Sequence, residues 1–165
     1  MPVGATPASN GDPNDKSELV GAASTLVAGL IAGKFAGQRP SGTGTVFKWP
    51  GEAPGGHFSV LVEGAGEAMH THQVITGPGQ ATTIAQVAAG ELGVPSATVK
   101  VPLANPAGAM AYQRSVVGAP GGQYHPLNNN CAQHCANVLN AGGSNVPTGT
   151  RALLVWWSAQ IGKTK

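Results

Sequence analysis

Two stretches of alternating residues around a turn signal constrain this chain more than any other feature. "HFSVLVE" (57–63) and "EAMHTHQVIT" (67–76) flank "GAG" at 64–66. Side chains alternate sides along a strand, so each stretch reads as a strand with two distinct faces. The glycine-bounded turn joins them as an antiparallel hairpin, here expected with a three-residue connection. His57, Ser59 and Leu61 share one face of the first strand; Ala68, His70, His72 and Val74 share one face of the second. Adjacent strands make those faces neighbours, so His57 and either His70 or His72 can look toward a common point.

A lone hairpin is marginal in water and needs more strands or a covering helix. The rest of the pattern supplies both. "TVFKW" (45–49) and "SATVKVPL" (96–103) read as further strands. "ATTIAQVAAGELG" (81–93) reads as a helix ending at Gly93, and "NPAGAMAYQRSVVG" (105–118) as one with Pro106 in its first turn. "APGGQYHPLN" reads as a loop, and "CAQHCANVLNAGG" (131–143) as a short helix stopped by a glycine pair. "TRALLVWWSAQIG" (150–162) reads as a last helix or a buried strand. The expected class is α+β, a small antiparallel sheet with helices packed on it.

Upstream of this domain the composition changes. Residues 1–16 read as a flexible leader, 17–35 as an apolar helix capped by Ser17, and 36–44 as a linker, with the domain at 45–165. The apolar run from Leu19 to Gly33 is shorter than the about 20 residues a membrane span needs. Gly21, Thr25, Gly29 and Gly33 form a small-residue ridge along it, which suits close helix contact. No basic stretch precedes this run, which argues against a secretory signal and for cytoplasmic synthesis, with export by a dedicated machine. Membrane contact, if any, is expected through 17–35 or 151–162. The formal net charge is +2 and the nine basic residues are dispersed, which gives no footprint for nucleic acid.

The chemistry concentrates in "YHPLNNNCAQHCANVLNAGG" (124–143), which holds both cysteines. Asn is among the best helix N-caps, so Asn130 places Cys131 in the first helical turn. There the unsatisfied N–H groups and the helix dipole favour a thiolate. Cys135 lies one turn deeper, beside Val138 and Leu139, and reads as a small buried hydrophobe. A thiolate with an imidazole base, oriented by a third polar group, is what acyl transfer needs. The backbone N–H of Cys131 is the expected oxyanion donor, with Asn130 and Tyr124 as further oxyanion or pocket candidates. His125 and His134 read as structural or solvated.

The order of "GGHFSVLV", "GEAMH" and "SVVGAPGGQYHPLNNNCAQHCANVL" resembles the circularly permuted papain-like hydrolases. These include NlpC-type cell-wall peptidases, lecithin:retinol acyltransferase-like enzymes and permuted deSUMOylase-type peptidases. The resemblance covers about residues 45–143. It implies Cys131 as nucleophile, His57 as general base and His70 as orienting residue, with His72 as the alternative third member. It implies no cofactor, and a peptide, peptidoglycan or lipid acyl substrate attacked through a thioester. One departure is His134, where these families usually carry an aromatic residue. The Gly/Ala-rich leader suggests a bacterial effector or toxin with an immunity or delivery partner. Two other classes compete. One is a zinc site from His70, His72, Cys131 and Cys135. The other is a non-catalytic binding module that keeps the papain-like shape.

Overall fold

The computed structural model describes residues 39–51 and 56–163. Its core is one antiparallel sheet of six strands: β1 (Gly42–Trp49), β2 (His57–Gly64), β3 (Glu67–Ile75), β4 (Ala81–Gln86), β5 (Ala97–Leu103) and β6 (Pro120–Gln123). The spatial order is β5-β1-β2-β3-β4-β6. Three helices accompany it: α1 (Pro106–Val116), α2 (Cys131–Ala141) and α3 (Thr150–Lys163). The α+β class expected from the sequence is the one observed. The expected leader (1–16) and apolar helix (17–35) lie outside the described residues.

The hairpin forms as its alternation dictates, with Ser59 opposite His72 and Leu61 opposite His70. Its connection is tighter than expected. Gly64 pairs with Glu67, so only Ala65 and Gly66 form the turn. Both have positive φ, 53° and 81°. A two-residue turn of this hand matches the twist of the flanking strands. Glycine suits the second position because it adopts positive φ without a Cβ penalty.

Three other expectations are corrected. Residues 81–93 are not a helix: Ala81–Gln86 form β4, pairing Gln73 with Ile84 and Val74 with Thr83. Its Thr82, Thr83 and Ile84 are β-branched, and the free edge of β3 rewards strand pairing over the helical preference of the alanines. The chain then leaves the sheet through turns, with Gly90 and Gly93 at positive φ. The stretch read as a loop before Tyr124 contributes β6, a short edge strand on β4. The stretch read as a linker is partly strand: β1 starts at Gly42, and the Ser41 N–H reaches the carbonyl of Leu103.

All three helices are assigned to one face by their contacts. Leu139 of α2 passes directly over Gly44, leaving no room there for a Cβ. Pro106 of α1 sits in the same way on Gly42 and Gly64. Trp157 of α3 stacks on Phe58, ring centres 6.2 Å apart. Facing these helices are Val46, Phe58, Val60, Val62, Met69, Val99, Val101 and Leu103, all buried. This is the helix face, and it carries the hydrophobic core. Each residue between them in sequence points to the other side. There the segment 87–93 crosses the sheet, so it is called the loop face. Among the described residues no helix is long and apolar enough to cross a membrane.

Candidate functional site

Cys131 opens α2. The Asn130 side chain accepts from the Gln133 N–H at 3.0 Å, the N-cap bond expected from the sequence. Its amide nitrogen donates to the carbonyl of Pro126 (3.0 Å) and to the Thr150 hydroxyl (3.1 Å). Both ends of this side chain are therefore used in fixing where α2 and α3 begin. Tyr124 hydrogen-bonds through its backbone N–H to the carbonyl of Gln80, which fixes the loop after β6. His125 caps a turn, its ring accepting from the Leu127 N–H at 3.2 Å.

The Cys131 thiol is half-buried at the edge of the core. Burial pushes its pKa up; the backbone N–H groups of Phe58, Ala132 and Cys131 itself pull it down, and burial dominates. Cys135 is fully buried, and burial holds its thiol well above the usual range, with Cys131 adding to the effect. It behaves as the small core hydrophobe that its helical position indicated.

The histidines of the hairpin lie on the other side of the sheet. His57 Nε2 and His72 Nδ1 are 2.9 Å apart, their rings nearly perpendicular at 76°. His70 Nε2 is 2.8 Å from the Ser59 hydroxyl, which also accepts from Trp49 Nε1 at 2.8 Å. Phe47 lies against the His70 ring. All of these residues occupy odd positions of β1 and β2 or even positions of β3, the side away from the helices. Burial lowers His57 and His70 to about 4 each, with the charge of His72 adding to the shift. Burial lowers His72 as well, against Glu91, which raises it. At neutral pH the three rings are uncharged.

The common point expected for His57 and His72 is thus present, but Cys131 is not part of it. The Phe58 N–H beside the thiol belongs to the residue that follows His57. The strand pleat nevertheless sends the side chains of Phe58 and His57 to opposite faces. Among the described residues, no imidazole is hydrogen-bonded to Cys131. The zinc alternative meets the same obstacle, because His70 and His72 are on the loop face and Cys131 and Cys135 belong to a helix on the other. Among the described residues, no three His, Cys, Asp or Glu side chains are grouped to hold a metal ion.

His134 is the imidazole of the helix face. It is 5% exposed, and its Nε2 is 2.9 Å from the Thr71 hydroxyl. Gln113 of α1 donates to the same hydroxyl at 2.7 Å and to the carbonyls of Met69 (3.2 Å) and Val60 (3.3 Å). Among the described residues no other acceptor is found for the Thr71 hydroxyl proton, so it points to His134 Nε2. Burial lowers His134 to about 3, with His72 contributing. This ring is a polar strut between α2 and β3.

Two residues of the loop face had no role assigned from the sequence. Ser59 ties Trp49 to His70, and Glu91 places Oε1 3.7 Å from His72 Nε2. Ser59 was legible as a same-face neighbour of His57. Glu91 was hidden inside a segment that read as helix. No protein-family model matches the chain, and no curated protein and no solved structure matches it.

Proposed function

We propose that the chain is a thiol-dependent acyl-transfer enzyme of permuted papain-like architecture, a hydrolase or acyltransferase that forms a thioester on Cys131. The observation that carries this reading is the set of backbone N–H groups of Phe58, Ala132 and Cys131 around the thiol, at the start of a capped helix. Such groups favour sulfur as an anion, and they also suit an oxyanion formed beside it. In the step proposed, sulfur attacks the acyl carbon and the C–N or C–O bond breaks. The thiol proton leaves with the amine or alcohol. Water, or an acceptor hydroxyl or amine, then takes the acyl group, and its proton restores the thiol. The substrate class is a peptide, peptidoglycan or lipid acyl amide or ester, which fits an exported effector or toxin with an immunity partner. The roles of base for His57 and orienter for His70 have no contact with the thiol to support them.

The test is acyl-adduct trapping on the intact chain, read by mass spectrometry, with peptidoglycan fragments, phospholipids and ubiquitin-like conjugates. The expected result is an adduct on Cys131 that disappears in Cys131→Ala and persists in Cys135→Ala. A folded protein that forms no adduct and turns over nothing in this panel overturns the reading. A second reading then stands, a non-catalytic binding module. It is favoured by the burial that raises the Cys131 thiol and by the sheet between the thiol and the hairpin imidazoles.

A further inference from the structure

Among the described residues, the loop face contains one buried side-chain polar atom without a hydrogen bond. His72 is 3% exposed, and its Nε2 has no hydrogen bond. The nearest acidic atom is Oε1 of Glu91, at 3.7 Å. That separation is too long for a hydrogen bond and too short to hold a bridging water. The other carboxylate oxygen, Oε2, accepts from the Ala88 N–H at 2.7 Å, which fixes the carboxylate over the sheet. Glu91 is on a turn and half-exposed, so a small side-chain shift closes the gap.

The proton positions follow from these distances. The His57–His72 contact needs one hydrogen, on either ring. If His72 Nδ1 carried it, the lone pair of His72 Nε2 would face a carboxylate in a buried place, two acceptors with no proton between them. Leaving a buried acceptor so placed costs about 1–3 kcal/mol. If His57 Nε2 carries it, His72 Nε2 is an N–H directed toward Glu91, and no two acceptors face each other. The second arrangement leaves His57 Nδ1 as a lone pair, and no described residue hydrogen-bonds it.

We propose that Glu91, His72 and His57 form a carboxylate–imidazole–imidazole relay, which makes His57 Nδ1 the proton acceptor of a site of its own on the loop face. The ligand it would take is a neutral O–H or N–H donor, such as an alcohol or an amide. The carboxylate end of the relay meets a groove of about 340 Å³, lined by Glu91 with Trp49, Leu61, Ala68, His70, Gln86 and the rest of the 87–93 segment; His57, at the other end of the relay, does not line it. The groove's walls mix apolar and polar groups, and its one imidazole, His70, is lowered to about 4 by burial. On accepting a proton at Nδ1, His57 becomes an imidazolium. Its Nε2 proton can pass to His72 Nδ1 while the His72 Nε2 proton moves toward Glu91. No oxidant, metal or co-reactant is required. This site does not depend on the Cys131 chemistry.

Long-range proton–nitrogen NMR of the histidine side chains tests the arrangement directly. At neutral pH, His57 and His72 should both be Nε2–H tautomers. Glu91→Leu should abolish the tautomer bias of His72 and slow diethyl pyrocarbonate modification of His57 several-fold. Glu91→Gln, which keeps an acceptor without the charge, should restore the tautomer but not the rate. Because Glu91 is a turn residue at the surface, circular dichroism should show both variants folded. An Nδ1–H tautomer for wild-type His72 overturns the relay. So does a Glu91→Leu protein whose tautomers and His57 reactivity match the wild type. Cys131→Ala should leave all of these readings unchanged, which separates failure of the relay from failure of the thiol reading.

Discussion

On the helix face, Phe58, Val60 and Val62 are at most 5% exposed and meet side chains from all three helices. On the loop face, the residues alternating with them, His57, Ser59 and Leu61, meet imidazoles, an indole and a turn-rich segment. One strand therefore serves two environments. The helix face is held by apolar area and by buried polar groups, among them Gln113–Thr71–His134 and Gln73–Thr82–Asn129. The loop face is held by paired polar groups, Trp49–Ser59–His70 and His57–His72–Glu91. Burial of apolar area is non-directional and scales with size, whereas paired polar groups are directional and set proton positions. The first face accounts for stability. The second has groups that can exchange protons.

The largest effect that this difference predicts is from Trp157→Ala. Trp157 is 2% exposed and stacks on Phe58. Its loss should cost about 3–5 kcal/mol in a urea melt. Leu61→Ala, on the partly exposed loop face, should cost much less. Equal costs would mean that the two faces share the core, and the contrast would fail.

Gln113→Leu comes next. The leucine keeps most of the volume and removes only the amide, so the loss isolates the strut. It should cost about 1–3 kcal/mol, because Thr71 and two strand carbonyls lose a buried donor. A neutral result would show that α1 is held by packing alone.

Much of this was legible in the sequence, and the part that was not has a physical cause. Alternation in 57–63 and 67–76 gave the hairpin and the sharing of one face by His57, His70 and His72, but not its register, which the two-residue turn shifts by one from the three-residue connection expected. The Asn130 cap gave the start of α2. Alternation assigns side chains to two faces but does not say which face a helix will cover. The signal for that was present, because Phe58, Val60 and Val62 are uniformly apolar and their neighbours are not. The pull of a cysteine toward a histidine outweighed it. The helix expected at 81–93 failed for another reason. Local alanine content favoured helix, and only the unpaired edge of β3, a feature of tertiary structure, turned the segment into β4.

Acid should distinguish the faces by degree. A free histidine titrates near about 6.5, and burial holds His57 and His70 to about 4 and His134 to about 3 in the folded chain. The unfolded chain therefore binds more protons below about pH 6.5. The stabilising contribution is complete above that pH and is lost as pH falls through 4 toward 3. Melts between pH 7 and pH 4 should show stability falling steadily. His134→Gln should flatten the slope most, since burial lowers that ring to about 3, against about 4 for His57 and His70. A slope that persists unchanged in this variant would place the titration on the loop face.

The smallest effect in energy is the sharpest in information. Ser59→Ala removes one buried hydroxyl that joins two partners. Trp49 Nε1 can only donate, so the Ser59 oxygen must accept from it. Among the described residues no other acceptor is found for the Ser59 hydroxyl proton, so that proton points to the lone pair of His70 Nε2. His70 is therefore an Nδ1–H tautomer, opposite to the Nε2–H form argued for His72 two residues away. Their different partners, a hydroxyl and a carboxylate, impose opposite proton positions on rings that share a face. Ser59→Ala should cost only about 1 kcal/mol, the usual net worth of a hydrogen bond. It should release His70 from its single tautomer and leave His72 as it was. If His70 and His72 change together, the loop face is one coupled network rather than two, and the independence of the Glu91 relay is lost. If wild-type His70 is already an Nε2–H tautomer, the Ser59 proton cannot point to it, and the hydrogen-bond directions assigned to this face are wrong.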